Sequence, residues 1–175
     1  MAPITPQTPQ ELAEALAAPA AAGKTIALRG AGTKQRLTGP GRPSDVAISS
    51  LGLRRIVEYE PRDLTISVEA GMSFAKLAER VSEDGLTLPL DPPFYDQATV
   101  GGVVAAGAAG PRRRFYGTVR DVVIGMKFAT LDGKVAQAGG MVVKNTAGFE
   151  MGKLMIGSLG TLAGLAVVNF RLAPR

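Results

Sequence analysis

Cysteine, histidine and tryptophan are all absent from this chain of 175 residues. Without cysteine there is no disulfide, no thiol nucleophile and nothing to hold an iron–sulfur cluster. Without histidine as well there is no imidazole base and no Cys/His metal site, so no metal is expected. The missing cysteines leave the redox compartment undetermined. Aromatic residues make up only 5%, whereas 22 glycines and many alanines contribute to an apolar fraction of 46%, so the interior is expected to rely on close backbone packing more than on rings. Long apolar runs are lacking too. None approaches the roughly 18 to 20 residues of a membrane span, and the N-terminus has neither a basic start nor an apolar leader core. A soluble cytoplasmic protein is the expectation, with peripheral attachment at the inner membrane left to partner subunits.

What is present is a formal charge of +5 and a pI near 9.8. That balance suits an anionic partner such as nucleic acid, phosphate or a membrane surface, or simply a solvated basic surface. The length allows one good core or two small lobes.

Thr8 to Glu11 is a helix start: Thr8 caps, Pro9 takes the first position, Glu11 closes a capping box, and the helix runs to about Ala18, where Pro19 ends it. Thr25 to Arg29 reads as a short strand. It stops at Gly30-Ala31-Gly32-Thr33-Lys34, a loop that offers consecutive N–H groups and one ammonium and so suits a phosphate. The spacing is neither a Walker A nor a GxGxxG, and an ordinary strand-to-loop turn remains the alternative.

Further strands are expected over Asp45–Ser50, Ile56–Glu60 and Leu64–Ala70, the last two half-exposed by their alternation. Ser73 caps a helix to about Glu83 with Phe74, Leu77, Ala78 and Val81 inward, and Gly85 closes it. Thr99 to Gly107 is a bed of small residues on which another group can lie closely. Val122–Thr130 and Lys134–Ala138 form a hairpin across Leu131-Asp132-Gly133. Glu150–Ile156 reads as a short helix with Leu154 and Met155 inside, Gly157–Gly164 as a second small-residue bed, and Leu165–Leu172 as a strand.

Four blocks, taken in order, resemble one family. They are Arg29–Lys34, Glu60–Met72, Ala98–Gly102 through Tyr116–Asp121, and Lys144–Glu150 through Gly157–Leu162. The chain is similar to the vanillyl-alcohol oxidase (PCMH-type) FAD-binding domain, and most of all to the FAD-binding subunit of bacterial glycolate oxidase. The resemblance implies an α+β fold of two lobes, a small βαβ lobe with parallel strands (residues 1–70) and a larger lobe of antiparallel strands flanked by helices (71–175).

By that resemblance, Arg29, Gly30, Ala31, Gly32, Thr33 and Lys34 meet the FAD pyrophosphate, and Thr99, Val100, Gly101 and Gly102 form a turn along the adenosine diphosphate. Gly107, Gly110, Tyr116, Gly117 and Asp121 lie toward the ribityl chain and ring, and Lys144, Asn145, Gly148, Gly160 and Thr161 close the other side. Family members that tether flavin covalently use His, Cys or Tyr; with no His in the Ala31–Lys34 loop and no Cys in the chain, FAD is expected to be non-covalent. Thr146, Phe149 and Glu150 replace the family's usual Val, Tyr and Asp.

The resemblance further implies oxidation of a 2-hydroxy acid by hydride transfer to flavin. Electrons then pass to partner chains, namely a second flavin subunit and an iron–sulfur subunit. Family members continue past a segment like Phe170–Pro174 into a substrate-binding cap domain. None is present here, so either the sequence is shortened or the chain works in an assembly, and catalytic residues stay unassigned. Two other readings remain: a non-catalytic FAD-binding assembly module, and a nucleic-acid-binding domain using Arg112-Arg113-Arg114-Phe115-Tyr116.

Overall fold

The computed structural model describes residues 2–39, 43–141 and 151–175. The first helix, α1 (Pro9–Ala21), is capped by the Thr8 hydroxyl, which accepts from the Glu11 N–H, while the Glu11 carboxylate accepts from the Gln7 N–H. Pro19 lies inside α1 and does not end it. A proline gives up its N–H bond and its ring crowds the carbonyl four residues back, and the helix runs only two residues beyond it, closed by the Ala22 and Lys24 N–H groups donating to the Ala18 and Pro19 carbonyls.

Strands β1 (Ile26–Arg29) and β2 (Val46–Ser49) pair in parallel and form a small sheet of their own. Strands β3 (Ile56–Glu60) and β4 (Thr65–Glu69) form an antiparallel pair that joins a larger sheet. Helix α2 (Phe74–Ser82) begins at the Ser73 cap and buries Phe74, Leu77 and Val81, and Gly85 follows it in the left-handed conformation. After β5 (Leu86–Thr87) come three short helices, α3 (Val100–Ala105), α4 (Arg113–Tyr116) and α5 (Val119–Val122). The hairpin of β6 (Val123–Ala129) and β7 (Val135–Gly139) turns at Gly133, with the Thr130 N–H donating to the Lys134 carbonyl. Helix α6 (Met151–Met155), β8 (Gly164–Arg171) and β9 (Ala173–Pro174) complete the described chain.

The larger sheet has the order β3-β4-β8-β6-β7 and is antiparallel throughout, so the fold is α+β with a small parallel and a larger antiparallel sheet. Both faces of its centre are covered. One core gathers Ile66, Val68, Met126 and Phe170 with Phe74 and Leu77 of α2; the other sets Leu12 and Leu16 of α1 against Ile48, Ala166 and Val167. Burial of this kind stabilises by roughly 25 cal/mol per Å² of apolar surface.

The expectation of two half-exposed strands fails in opposite directions: β3, at the sheet edge, is exposed at every residue but the partly buried Tyr59, whereas every residue of β4 is buried. The polar positions of β4 are satisfied internally. Ser67 donates to Asn169 Oδ1 at 2.7 Å, and the Glu69 carboxylate receives the Arg55 guanidinium at 2.8 Å. Within α6 Met155 is buried, whereas Leu154 is exposed rather than inside.

Candidate functional site

The loop after β1 sits directly against the start of α3. Gly30 has no room for a side chain, because a Cβ there would collide with the Thr99 hydroxyl. Gly32 adopts φ +74°, the left-handed conformation that glycine permits, and this turns the loop back on itself. Among the described residues none accepts a hydrogen bond from the N–H groups of Ala31, Gly32, Thr33 or Lys34. The Lys34 ammonium donates to the Thr33 hydroxyl at 3.2 Å and to the Pro93 carbonyl at 3.3 Å, and burial pushes its pKa below the usual lysine value.

Thr99 to Gly102 is the beginning of a helix, not the turn expected from the sequence. Thr99 caps α3 by accepting from the Gly102 N–H at 3.2 Å, while the Val100 N–H donates to the Met72 carbonyl and that of Gly101 to the Ala70 carbonyl. The first three N–H groups of α3 are therefore consumed inside the protein. A Cβ on Gly101 would lie 2.8 Å from Ala70 Cβ and 2.9 Å from Ala70 O. What α3 offers to the space beside it is a flat, nearly side-chain-free face.

That space is a cleft of about 610 Å³, within the roughly 300–1,000 Å³ of cofactor sites. One wall is Ala27 to Gln35, the floor is Ala70, Thr99, Gly101 and Gly102 with Ala105 and Ala106, and the far wall is Leu159, Gly160, Ala163 and Leu165. Arg29 and Lys34 bring positive charge, and no Asp or Glu is among the described residues lining it. Unpaired N–H groups, an ammonium and a glycine floor fit an elongated ligand with an anionic centre and a flat part. Among the described residues, no group of three or more His, Cys, Asp or Glu side chains is placed to hold a metal ion.

Ten of the sequence-predicted residues thus meet at one cleft: Arg29, Gly30, Ala31, Gly32, Thr33, Lys34, Thr99, Gly101, Gly102 and Gly160. Others lie elsewhere. Val100 is buried in the core. Gly107 faces Gly157, and Gly110 packs on the Asp91 carbonyl. Tyr116 lines a separate depression. Gly117 abuts Asp121, whose carboxylate accepts from the Thr118 N–H at 2.7 Å and its hydroxyl at 2.9 Å and so caps α5. Thr161 donates to the Ser158 carbonyl from an exposed position. Lys144, Asn145 and Gly148 are outside the described residues.

The sequence reading placed Ala105 and Leu159 within its two small-residue beds without singling them out, and it missed Leu28 and Leu165 as aliphatic parts of the walls. Leu159 adopts φ 56°, rare for a non-glycine residue, and its N–H donates to the Ala105 carbonyl at 2.8 Å, which holds the far wall against α3. No local signal marks that conformation in a leucine.

Residues 2–139 match the model of a family described as FAD binding domain. Glycolate oxidase subunit GlcE of Escherichia coli (strain K12) is 42% identical over 123 residues, which are 70% of this chain and 35% of that protein. D-lactate dehydrogenase of Archaeoglobus fulgidus is 33% identical over 152 residues, 86% of this chain and 33% of that protein. The chain therefore spans about a third of the length of these curated relatives. Alkyldihydroxyacetonephosphate synthase superposes with a TM-score of 0.82 over 97% of this chain and 31% of that one, and at 19% identity this likeness shows the fold alone.

Proposed function

The chain belongs to the PCMH-type FAD-binding domain family, and from that premise we propose that it is the flavin-holding part of a glycolate oxidase-like 2-hydroxy-acid dehydrogenase. The observation that carries the reading is the cleft itself, lined on one side by Ala31 to Lys34, whose N–H groups find no acceptor among the described residues, and floored by the glycines of α3. In this reading those N–H groups and the Lys34 ammonium hold the FAD diphosphate, where charge-assisted bonds are about twice as strong as neutral ones. The side-chain-free face of Gly101 and Gly102 and the Leu159–Leu165 wall hold the flatter portions and exclude water. Bound there, FAD supplies a two-electron acceptor for the oxidation of a CH–OH group. Non-covalent attachment is supported by the absence of Cys and His from the sequence and of Tyr from the described residues lining the cleft.

The relatives' names supply the substrate class, glycolate or D-lactate, and the word "subunit" in one of them supports an assembly in which electrons pass to partner chains. A second flavin subunit and an iron–sulfur subunit are the partners proposed. Among the described residues no helix is long and apolar enough to cross a membrane, and a cytoplasmic place belongs to the same proposal.

One observation favours a second reading. No Asp, Glu, Tyr, His or Cys is among the described residues lining the cleft, so that Lys34 is the only one there, beside the permanently charged Arg29, with an ionisable side chain. A module that holds FAD while another polypeptide brings the substrate-side groups is consistent with that. The deciding experiment adds FAD to the purified chain and then glycolate or D-lactate without oxygen. Uptake of FAD followed by bleaching of its visible absorbance supports the dehydrogenase; uptake without bleaching favours the module; no uptake overturns both.

A further inference from the structure

A second depression, of about 470 Å³, shares no lining residue with the cleft. Its floor is Ala78 and Leu86, its walls are the rings of Tyr95, Phe115 and Tyr116, and its rim carries Arg112 and Arg175. The chain has nine aromatic residues (six Phe and three Tyr), and three of them line this place while exposed, Tyr95 at 37%, Phe115 at 92% and Tyr116 at 40%, with Phe94, next to Tyr95 in the chain, exposed at 60%. Phe115 is a large apolar side chain left almost wholly in water. Phe94 is held at φ 59°, a conformation phenylalanine rarely adopts. Tyr95 is fixed edge-on to Phe74 of the core at 5.3 Å, so the patch rests on a rigid support.

Arg112 and Arg175 line the depression with these rings, flanked in the chain by Arg113 and Arg114, while the carboxylates of Asp91 and Asp96 stand near Tyr95. Among the described residues, none forms an ion pair with Arg112, Arg113, Arg114 or Arg175. Arg175 Nη1 donates to the Ser82 hydroxyl at 2.7 Å, which orients its guanidinium and leaves the other donors open. Aromatic rings and arginines over an apolar floor are the composition of interface hot spots, and contiguous exposed apolar surface of this kind marks an interaction site.

We propose that this depression docks an acidic segment of another polypeptide, with one apolar or aromatic side chain inserted over Leu86 and Ala78 and flanking carboxylates paired to Arg112 and Arg175. Arg113 and Arg114 on the rim steer the approach. A wall that is nine-tenths exposed does not enclose a small molecule, but it completes a groove once a partner covers it. Nucleic acid fits less well. The basic residues of α4 span one turn rather than a track along a strand, and the floor is aliphatic. The proposal uses none of the residues that line the cleft.

The test is fluorescence anisotropy with a short fluorescein-labelled peptide of glutamates around a central phenylalanine. Three comparison probes are the same peptide with glycine for phenylalanine, a lysine version, and an oligothymidylate of equal length. Saturable binding of the glutamate–phenylalanine peptide is expected, weakened about tenfold or more both by Phe115→Ser and by Arg112→Glu. The double change Arg113→Glu/Arg114→Glu is expected chiefly to flatten the salt dependence of association. All four residues are exposed, so thermal unfolding of the variants should match the parent. No saturable peptide binding, equal binding of the glycine peptide, unchanged binding by the variants, or a preference for the oligothymidylate each overturns the proposal.

Discussion

The Thr99 hydroxyl occupies the place a side chain on Gly30 would take, so that any residue larger than glycine at position 30 must displace the cap of α3. The loop that faces the cleft and the helix that floors it are thereby one unit, joined across the two sheets. Gly30→Ala should cost about 1–3 kcal/mol of stability, as overpacking does, and weaken FAD binding by about tenfold or more. Thr99→Ala alone should cost about 1 kcal/mol through the lost cap. Because the second change removes the atom that the first one strikes, the double variant should lose less than the sum, with a coupling of about 0.5 kcal/mol or more. Urea unfolding and FAD titration of the four proteins check this, and strict additivity would show that the two sites do not touch.

A branched residue at Gly101 is expected to act on the fold before it acts on the ligand. Its Cβ would press on both Cβ and O of Ala70, at the end of β4, and α3 would have to lift from the sheet. Gly101→Val should therefore lower the thermal midpoint of the FAD-free chain, by an amount corresponding to about 1–3 kcal/mol. A variant with an unchanged FAD-free midpoint that binds no FAD would instead place the lost space in the cleft.

Asp121 holds the start of α5 through both Thr118 donors, and these bonds keep its carboxyl below the usual carboxylate range. Its folded pKa is depressed, so its contribution is present above the unfolded value and is lost as the pH falls through the folded one. Asp121→Ala should cost about 1 kcal/mol at neutral pH, and the gap to the parent should close as the solution is acidified through that window. Urea midpoints across the acid range check it. A loss of FAD affinity larger than the loss of stability would instead place Asp121 at the cofactor.

The features legible in the sequence are those set by neighbours in the chain. The caps at Thr8 and Ser73, the turn at Gly133 and the loop after β1 all follow from a few adjacent residues. Helix α3 was not legible, since Gly101 and Gly102 are poor helix formers. It forms because the Met72 and Ala70 carbonyls accept its first N–H groups and because only glycine fits against Ala70. The full burial of β4 was equally hidden, for it depends on β8 pairing alongside from about a hundred residues later, as at Ser67 and Asn169. The far wall of the cleft rests on a left-handed leucine, Leu159, that only tertiary contact can hold.

Lys34 gives the cleft reading a pH signature. Burial lowers its folded pKa below the ordinary lysine value of 10.5, so between the two values the folded chain holds fewer protons than the unfolded one, and stability of the FAD-free chain rises with pH across that window. An anionic diphosphate beside the ammonium favours the charged form and raises the pKa again, so binding takes up a proton. FAD affinity should therefore fall as the pH rises through the lowered value, with a slope approaching about tenfold per pH unit. Lys34→Met should weaken binding at neutral pH by about 1–3 kcal/mol, the worth of a hydrogen bond to a charged group. It should also remove the alkaline slope. Quenching of FAD fluorescence, titrated at a series of pH values on both proteins, reads both quantities. If the slope persists in Lys34→Met, the titrating group is not Lys34, and its ammonium serves only the bond to the Pro93 carbonyl.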